Sequence, residues 1–245
     1  MAESLLIINA DDLGYDPGVT RGILKAMFEG VVSSATFMVN TPFSAHAAEA
    51  ATGLALGLHL NLARHLPVSR AFPAEHLHHG ELHEPFADRL PPEAVEKETL
   101  AQLDRMEKLC GRTATHVDVH KHLHRHPNVL KGLLAAAKQR GVPVRAIDAG
   151  MRAAIRESGV KTTDHFIGDA GREPYWTLER FREHIERLTP GTTELMCHPG
   201  YVPEAVKSGY ATQREVELQT FLHPGTRRIL ERCGVRVATF ADLQA

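Results

Sequence analysis

Short continuous apolar runs recur along this chain, and the segments between them carry helix signals. The first run, Leu5-Leu6-Ile7-Ile8, has no polar residue at alternate positions. Such a run is typical of a strand that is buried on both faces of a parallel sheet. We predict strands at residues 5–11, 34–40, 55–62, 115–120, 144–148, 164–167, 193–197 and 235–240.

Helix start and stop residues fill the intervals between these runs. Asp16-Pro17 predicts an N-cap followed by proline at the first helical position, and Gly30 can close that helix. Two later segments begin at a proline and stop at a glycine, Gly111 or Gly141, which is a common way for a helix to end. After the first helix, we predict a helix that Pro91-Pro92 opens and Gly111 ends, and further helices at residues 127–140, 177–188 and 213–233, the last interrupted at Pro224-Gly225.

About eight strands with helical crossovers in 245 residues predict an α/β fold, a closed or nearly closed (β/α) barrel of the TIM-barrel type. An open doubly wound sheet is the alternative, but no GxGxxG follows the first strand. No repeat or low-complexity linker divides the chain, so we expect a single domain over residues 1–245. Residues 64–89 are irregular and rich in His and Pro, and a loop of that length is usually functional or disordered.

Charge, apolar content and cysteine number make several classes of protein unexpected. A net charge of -2 gives no reason to expect nucleic-acid or membrane-surface binding, and no apolar stretch is long enough for a membrane span. Three cysteines without a CxxC make a disulfide framework unexpected. Asp11 and Asp12 interrupt the first apolar run, so we expect no signal peptide and a cytoplasmic protein. The 16 histidines are many for a chain of this size.

Polar residues at strand ends are the candidates for chemistry, because barrel active sites lie at the C-terminal ends of the strands. The first strand ends in Asn9-Ala10-Asp11-Asp12-Leu13-Gly14. Successive side chains alternate across a strand, so both aspartates reach one site only if the chain turns, which Gly14 permits. The alternative is that one aspartate caps a helix and the other is solvated.

Histidines mark the third and fourth strands. His59 and Asn61 share one face of the third, and a period of two places His116, Asp118, His120, His122 and His124 on one face of the fourth while that strand lasts. A buried group of imidazoles and a carboxylate needs a partner, which a divalent cation supplies. The alternative is a solvated histidine-rich strand.

Three further residues follow from their positions in predicted strands. His198 ends the seventh strand before Pro199-Gly200 and is well placed there to act as a general acid or base. Arg145 is either a buried guanidinium that needs an anionic partner, such as a catalytic carboxylate, or a surface arginine. Cys197 points away from His198 and is predicted to lie in the core. The loop histidines His76, His78, His79 and His83 are interpreted as a solvated lid or an adventitious metal binder.

Four motifs in this order resemble the YdjC-like carbohydrate deacetylase family, which includes chitooligosaccharide deacetylases and hopanoid-associated deacetylases. The resemblance spans nearly the whole chain. The motifs are Asn9-Ala10-Asp11-Asp12-Leu13-Gly14, Gly57-Leu58-His59-Leu60-Asn61, the segment from Thr115 to His124, and Glu194-Leu195-Met196-Cys197-His198-Pro199-Gly200. Relatives often have Asp-Ser-His where this chain has Asp118-Val119-His120, and the 64–89 loop has its own composition.

The resemblance implies a distorted (β/α) barrel and hydrolysis of an N-acetyl group from an amino sugar with one divalent ion, Mg²⁺ or Zn²⁺. It implies Asp12, His59 and His120 as metal ligands, Asp11 as general base and His198 as general acid; we add that Arg145 orients Asp11. A metal-dependent phosphoesterase and a non-catalytic sugar- or metal-binding module are the rival functions. The expected partner is a small N-acetylated sugar, and a homodimer is left open.

Overall fold

The computed structural model describes residues 4–243. Strands alternate with helices through most of this range. The strands are Ser4–Leu13 (β1), Ser34–Phe37 (β2), Gly57–Leu60 (β3), Val117–Val119 (β4), His165–Ile167 (β5), Gly191–Cys197 (β6) and Arg236–Ala238 (β7). The α-helices are Pro17–Glu29 (α1), Ser44–Ala50 (α2), Pro92–Cys110 (α3), Pro127–Arg140 (α4), Ala149–Glu157 (α5), Leu178–Ile185 (α6), Thr212–Leu222 (α7) and Pro224–Arg232 (α8).

The first of two compact units comprises the described residues of Met1–Ala35 and Thr163–Ala245. Its sheet is built on β1, which pairs in parallel with β6 and with β7, while β6 pairs in parallel with β5. Leu6, Ile7 and Ile8 are completely buried. The continuous apolar run therefore does lie in a strand covered on both faces, as predicted.

The second unit is Thr36–Thr162. Here β3 pairs in parallel with β2 and with β4. Helices α3 and α4 pack on each other, and their apolar positions, such as Val95, Met106 and Leu133, are fully buried. Among the described residues, the pairings between β-strands within each unit are parallel, which confirms the predicted sheet type.

The start and stop residues place most helix ends correctly. The Asp16 side chain accepts a hydrogen bond from the Gly18 backbone N–H at the start of α1. Gly111 (φ 68°) and Gly141 (φ 64°) adopt the left-handed conformation and end α3 and α4. The short helices α2 and α5 were not predicted, because each spans only two or three turns, which is too short a stretch to display a clear apolar periodicity.

The predicted fifth strand at residues 144–148 is wrong. Only Val144 pairs, in an isolated parallel bridge with Val117. Asp148 then caps α5 by accepting a hydrogen bond from the Met151 N–H at 2.8 Å, so the chain turns into a helix before a strand can extend.

The irregular 64–89 segment contains only two short 3₁₀ turns, Ala74–His76 and Glu84–Arg89, and one isolated antiparallel bridge between His78 and Glu81. Its start is fixed to α3, because the buried Glu98 carboxylate accepts the backbone N–H groups of Val68 and Ser69 at 2.9 and 2.8 Å. Within residues 4–243 no helix combines the length and apolar character that crossing a bilayer requires.

Gly22 of α1 lies against the turn that follows β6. A Cβ built on Gly22 would stand 2.4 Å from the Gly200 Cα and 2.8 Å from the Tyr201 N, which are backbone atoms that cannot rotate away. We predict that Gly22→Ala lowers the free energy of unfolding by about 1–3 kcal/mol, the usual cost of overpacking. Urea unfolding measures the change.

Gly150→Ala is the matched control, because Gly150 is also a helical glycine and its added Cβ would meet only the Asp148 Oδ1, at an ordinary 3.4 Å. This variant is expected to raise the free energy of unfolding by about 0.5–1 kcal/mol through the higher helix propensity of alanine. Equal effects from the two substitutions would contradict the close approach of α1 to the turn.

Candidate functional site

In the first unit, the C-terminal end of β1 carries two buried aspartates. Asn9 Nδ2 donates a hydrogen bond to Asp11 Oδ1 at 2.9 Å. Asp12 has a φ of 75°, and Gly14 a φ of 82°. The chain therefore turns at Asp12 itself as well as at the predicted Gly14, and aspartate is one of the few non-glycine residues that tolerate this conformation. Neither aspartate is a solvated surface residue, so that alternative is wrong.

Asp12 has a buried cationic partner. Arg214 Nη2 of α7 lies 2.6 Å from Asp12 Oδ2, and both side chains are 4% exposed. The guanidinium lies over two aromatic rings, 5.7 Å from the Tyr15 centroid and 5.8 Å from that of Tyr210. This contact fixes one carboxylate oxygen of Asp12 and gives the buried carboxylate a cationic partner.

His198 follows β6, and its surroundings also come from the region of α7. The His198 backbone N–H donates to the Glu217 carboxylate at 2.6 Å, and the Tyr210 hydroxyl donates to the same carboxylate. The rings of His198 and Tyr210 meet edge to face with centroids 5.4 Å apart. Cys197, the preceding residue, is fully buried and its Sγ faces the Asn9 carbonyl, so its predicted core position is confirmed.

Burial is the largest influence on the pKa values of Glu217 and Tyr210. It raises the pKa of Glu217 to about 7, although hydrogen bonds from Tyr210, His198 and Trp176 act in the opposite direction. Burial, followed by the neighbouring Glu217, also raises the pKa of the Tyr210 hydroxyl. Tyr210 therefore keeps its proton at neutral pH and is the donor to Glu217.

In the second unit, β3 and β4 bring His59 and Asp118 together as register partners. His59 Nδ1 lies 2.7 Å from Asp118 Oδ1, and the Thr36 hydroxyl donates to Asp118 Oδ2 at 2.9 Å. An ionised carboxylate only accepts, so His59 carries its hydrogen on Nδ1. In the neutral imidazole, Nε2 is then the atom with a lone pair, which is the arrangement found when a carboxylate orients a metal-binding histidine.

The other ring nitrogen of His59 faces His120. His59 Nε2 and His120 Nδ1 are 3.1 Å apart, and both residues are buried. Two nitrogens bound at about 2.0–2.1 Å to one tetrahedral ion stand roughly 3.3 Å apart, so the observed separation fits two ligands of one divalent ion. The donor set of this unit therefore suits such an ion.

Arg145 is completely buried, and its Nη2 lies 2.8 Å from Asp118 Oδ2. The prediction that it is a buried guanidinium with an anionic partner is confirmed, and the surface alternative is wrong. Its role in orienting Asp11 stays a prediction. Asp118 thus connects Arg145 to His59, since it accepts from both side chains.

The remaining histidines of the fourth motif do not share one strand face, because β4 ends at Val119 and a 3₁₀ turn follows with Lys121 (φ 57°) and His122 (φ 52°) left-handed. His116 packs its ring under Gly57, where a Cβ would stand 2.3 Å from it. His124 is fully buried, and burial lowers its pKa well below the usual value, so it is a neutral core residue.

The loop histidines form a stack of rings. His78 stacks on His83 with centroids 4.5 Å apart and meets His79 edge to face at 4.2 Å. None of the three is fully buried, and their interpretation as a lid or an adventitious metal binder stays a prediction.

Arg145→Met is predicted to lower the free energy of unfolding by about 3–5 kcal/mol, because it leaves the Asp118 charge buried without its guanidinium. Arg140→Met is the control: this arginine pairs with Asp104 at the surface, where an ion pair contributes about 0–1 kcal/mol. Urea denaturation of both variants makes the comparison. A loss at Arg145 no larger than that at Arg140 would show that Asp118 does not depend on the buried ion pair.

The sequence matches the YdjC-like protein family over residues 5–232. The chain belongs to the YdjC-like family. One relative is the carbohydrate deacetylase of Geobacillus stearothermophilus, which is 36% identical over 244 residues with 96% of each chain covered. Another is the chitooligosaccharide deacetylase of Yersinia pestis, 31% identical over 259 residues, covering 98% of this chain and 99% of the relative.

Solved structures agree on the fold of this YdjC-like chain. An Enterococcus faecalis protein named for cellobiose-phosphate cleavage superposes with a TM-score of 0.87 at 27% identity and covers 99% of both chains. A family 4 acetyl xylan esterase from Clostridium thermocellum gives a TM-score of 0.52 at 14% identity, covering 98% of this chain and 89% of the esterase. The predicted α/β class of a distorted (β/α) barrel is confirmed by this likeness.

Proposed function

We propose that this chain is a metal-dependent hydrolase that removes N-acetyl groups from an amino sugar or an N-acetylated oligosaccharide. The observation that carries the proposal is the buried pair His59–His120, with His59 oriented by Asp118 so that its Nε2 faces the His120 Nδ1 at 3.1 Å. The proposal is supported by relatives named carbohydrate deacetylase and chitooligosaccharide deacetylase that match over nearly the whole chain.

The proposed metal ligands are Asp12, His59 and His120, which are all buried. One carboxylate and two imidazoles form a donor set of the kind that catalytic zinc and related divalent ions use. A bound Mg²⁺ or Zn²⁺ lowers the pKa of a coordinated water and polarises an acetamide carbonyl. Arg214 contacts Asp12, and Asp118 contacts His59. Each contact orients a proposed metal ligand, as residues around metal sites commonly do.

Asp11 is proposed as the general base that accepts a proton from the attacking water, with its Oδ1 held by the Asn9 amide. His198 is proposed as the general acid that donates a proton to the leaving sugar amine. Arg145 is proposed to orient Asp11. We further expect a cytoplasmic enzyme whose partner is the small sugar substrate, with the homodimer open.

Acetate and phosphate release test the function together. The purified protein is incubated with a panel of N-acetylated mono-, di- and oligosaccharides and with a disaccharide phosphate, since the Enterococcus faecalis neighbour is named for cleavage of such a compound. Acetate from the acetylated sugars alone supports the deacetylase. Phosphate release in its place indicates the phosphoesterase, and saturable sugar binding without either product indicates a binding module.

A further inference from the structure

Helix α7 buries two ionisable residues one turn apart, and neither has a role in the proposed chemical steps. Arg214 is 3% exposed and Glu217 is completely buried. Burying ionisable side chains costs free energy unless each meets specific partners. The hydrogen-bond partners of these two residues therefore indicate what the residues do.

The Arg214 guanidinium binds the C-terminal end of β1. Its Nη2 donates to Asp12 Oδ2, and its Nε donates to the Tyr210 carbonyl at 3.0 Å. Its own backbone carbonyl accepts the Gly200 N–H at 3.1 Å, two residues after His198. Arg214 thus contacts one proposed metal ligand by its side chain and the turn after the proposed acid by its backbone.

The Glu217 carboxylate binds the backbone directly after β6. One oxygen accepts the His198 N–H, and the other accepts the Tyr210 hydroxyl and, at 3.4 Å, the Trp176 N–H. The Tyr210 ring in turn lies against the His198 ring. Glu217 therefore fixes both the peptide that carries His198 and the aromatic ring beside it.

We infer that α7 is a positioning element for the proposed site: Glu217, with Tyr210, sets the orientation of His198, and Arg214 sets that of Asp12. This inference rests on the proposed function, since it is that function which gives His198 and Asp12 their roles. Neither Glu217 nor Arg214 contacts the reacting atoms in this account; both act through another residue. A misplacement of about 1 Å in a reacting group can cost on the order of 10²-fold in rate.

The Glu217 half is tested with Glu217→Gln and Tyr210→Phe. The first keeps the shape but loses the charge, and the second keeps the ring but loses the hydroxyl. We expect each to lower kcat by about 10–100-fold with KM changed by less than about 2-fold. Thr220→Val is the control: Thr220 is a buried polar residue of the same helix whose hydroxyl lies within hydrogen-bond distance of the Trp176 and Val216 carbonyls, and neither Glu217 nor Tyr210 is changed in this variant.

Nuclear magnetic resonance of the histidine rings gives a readout that does not need turnover. The His198 signal is assigned by its loss in His198→Gln. We expect it to shift in Glu217→Gln and Tyr210→Phe and to stay in place in Thr220→Val. If the first two variants leave both kcat and the His198 signal unchanged, or change them only as Thr220→Val does, the positioning of His198 by Glu217 is wrong.

The Arg214 half is tested with Arg214→Met by titrating metal-stripped protein with Zn²⁺ against a chelating dye. Loss of a residue that orients a ligand weakens metal affinity by about 10–100-fold, and we expect a change of that size with Thr220→Val at the wild-type value. Wild-type affinity in Arg214→Met would overturn this half. A wild-type protein that releases no acetate would instead defeat the proposed function, while the ring signals and Zn²⁺ affinity would still judge the role of α7.

Discussion

Asp11→Asn is expected to lower kcat for acetate release by about 10²–10⁴-fold, the range that a positioned general base contributes, while the metal content stays at its wild-type level. The amide has nearly the same size and can still pair with Asn9, whose amide now holds Asp11 Oδ1. It cannot accept a proton from water. Initial rates of acetate release and elemental analysis of the same preparation measure the two quantities.

Asp148→Asn serves as the control for Asp11→Asn. Asp148 caps α5, and asparagine caps a helix about as well as aspartate, so kcat is expected to remain at the wild-type value. A fully active Asp11→Asn enzyme would remove Asp11 from the role of general base. Loss of metal together with activity would instead place Asp11 among the ligands.

His59→Ala and His120→Ala are each expected to weaken metal affinity by more than about 100-fold, because loss even of residues that only orient ligands costs about 10–100-fold. The reason lies in the 3.1 Å approach of His59 Nε2 to His120 Nδ1, which fits two ligands of one ion. Elemental analysis after gel filtration, and Zn²⁺ titration of the stripped proteins, measure the loss.

His46→Ala is the matched control for the histidine variants, since His46 is an exposed residue of α2. It is expected to bind metal as the wild-type protein does. Wild-type stoichiometry in His59→Ala or His120→Ala would refute the assignment of that residue as a ligand.

The fold was largely predictable because its determinants are local. The apolar run of β1 and the glycines that end α3 and α4 act within a few residues of themselves, so pattern alone finds them. The strand predicted at residues 144–148 failed for a reason that is also local but subtler. Asp148 competes for the backbone as a helix cap, and this outweighs the apolar character of Val144.

The candidate site was predictable only in part. His59, His120 and the two aspartates stand at strand ends, which sequence position reveals. The residues that hold them cannot be found in this way: Arg214 is 202 positions from Asp12, and nothing in the sequence around Arg214 connects the two. The left-handed turn at Lys121 and His122 was also missed, because nothing short of the three-dimensional structure separates it from a continuing strand.

One signal could have identified Glu217. It interrupts the apolar face of α7 directly before Leu218, where a carboxylate is costly unless several donors meet it. Read with the tyrosine seven residues earlier, that interruption indicates a buried polar cluster. It could not have indicated His198 as the residue that the cluster holds, because this contact depends on how α7 packs against the end of β6.

The decisive measurement is to return metal to the stripped wild-type enzyme and follow acetate release from an N-acetylated chitooligosaccharide. We expect the rate to be negligible without metal, to rise in proportion to the ion bound and to reach its plateau at one divalent ion per chain. Full acetate release by protein that elemental analysis shows to be free of metal would contradict this expectation.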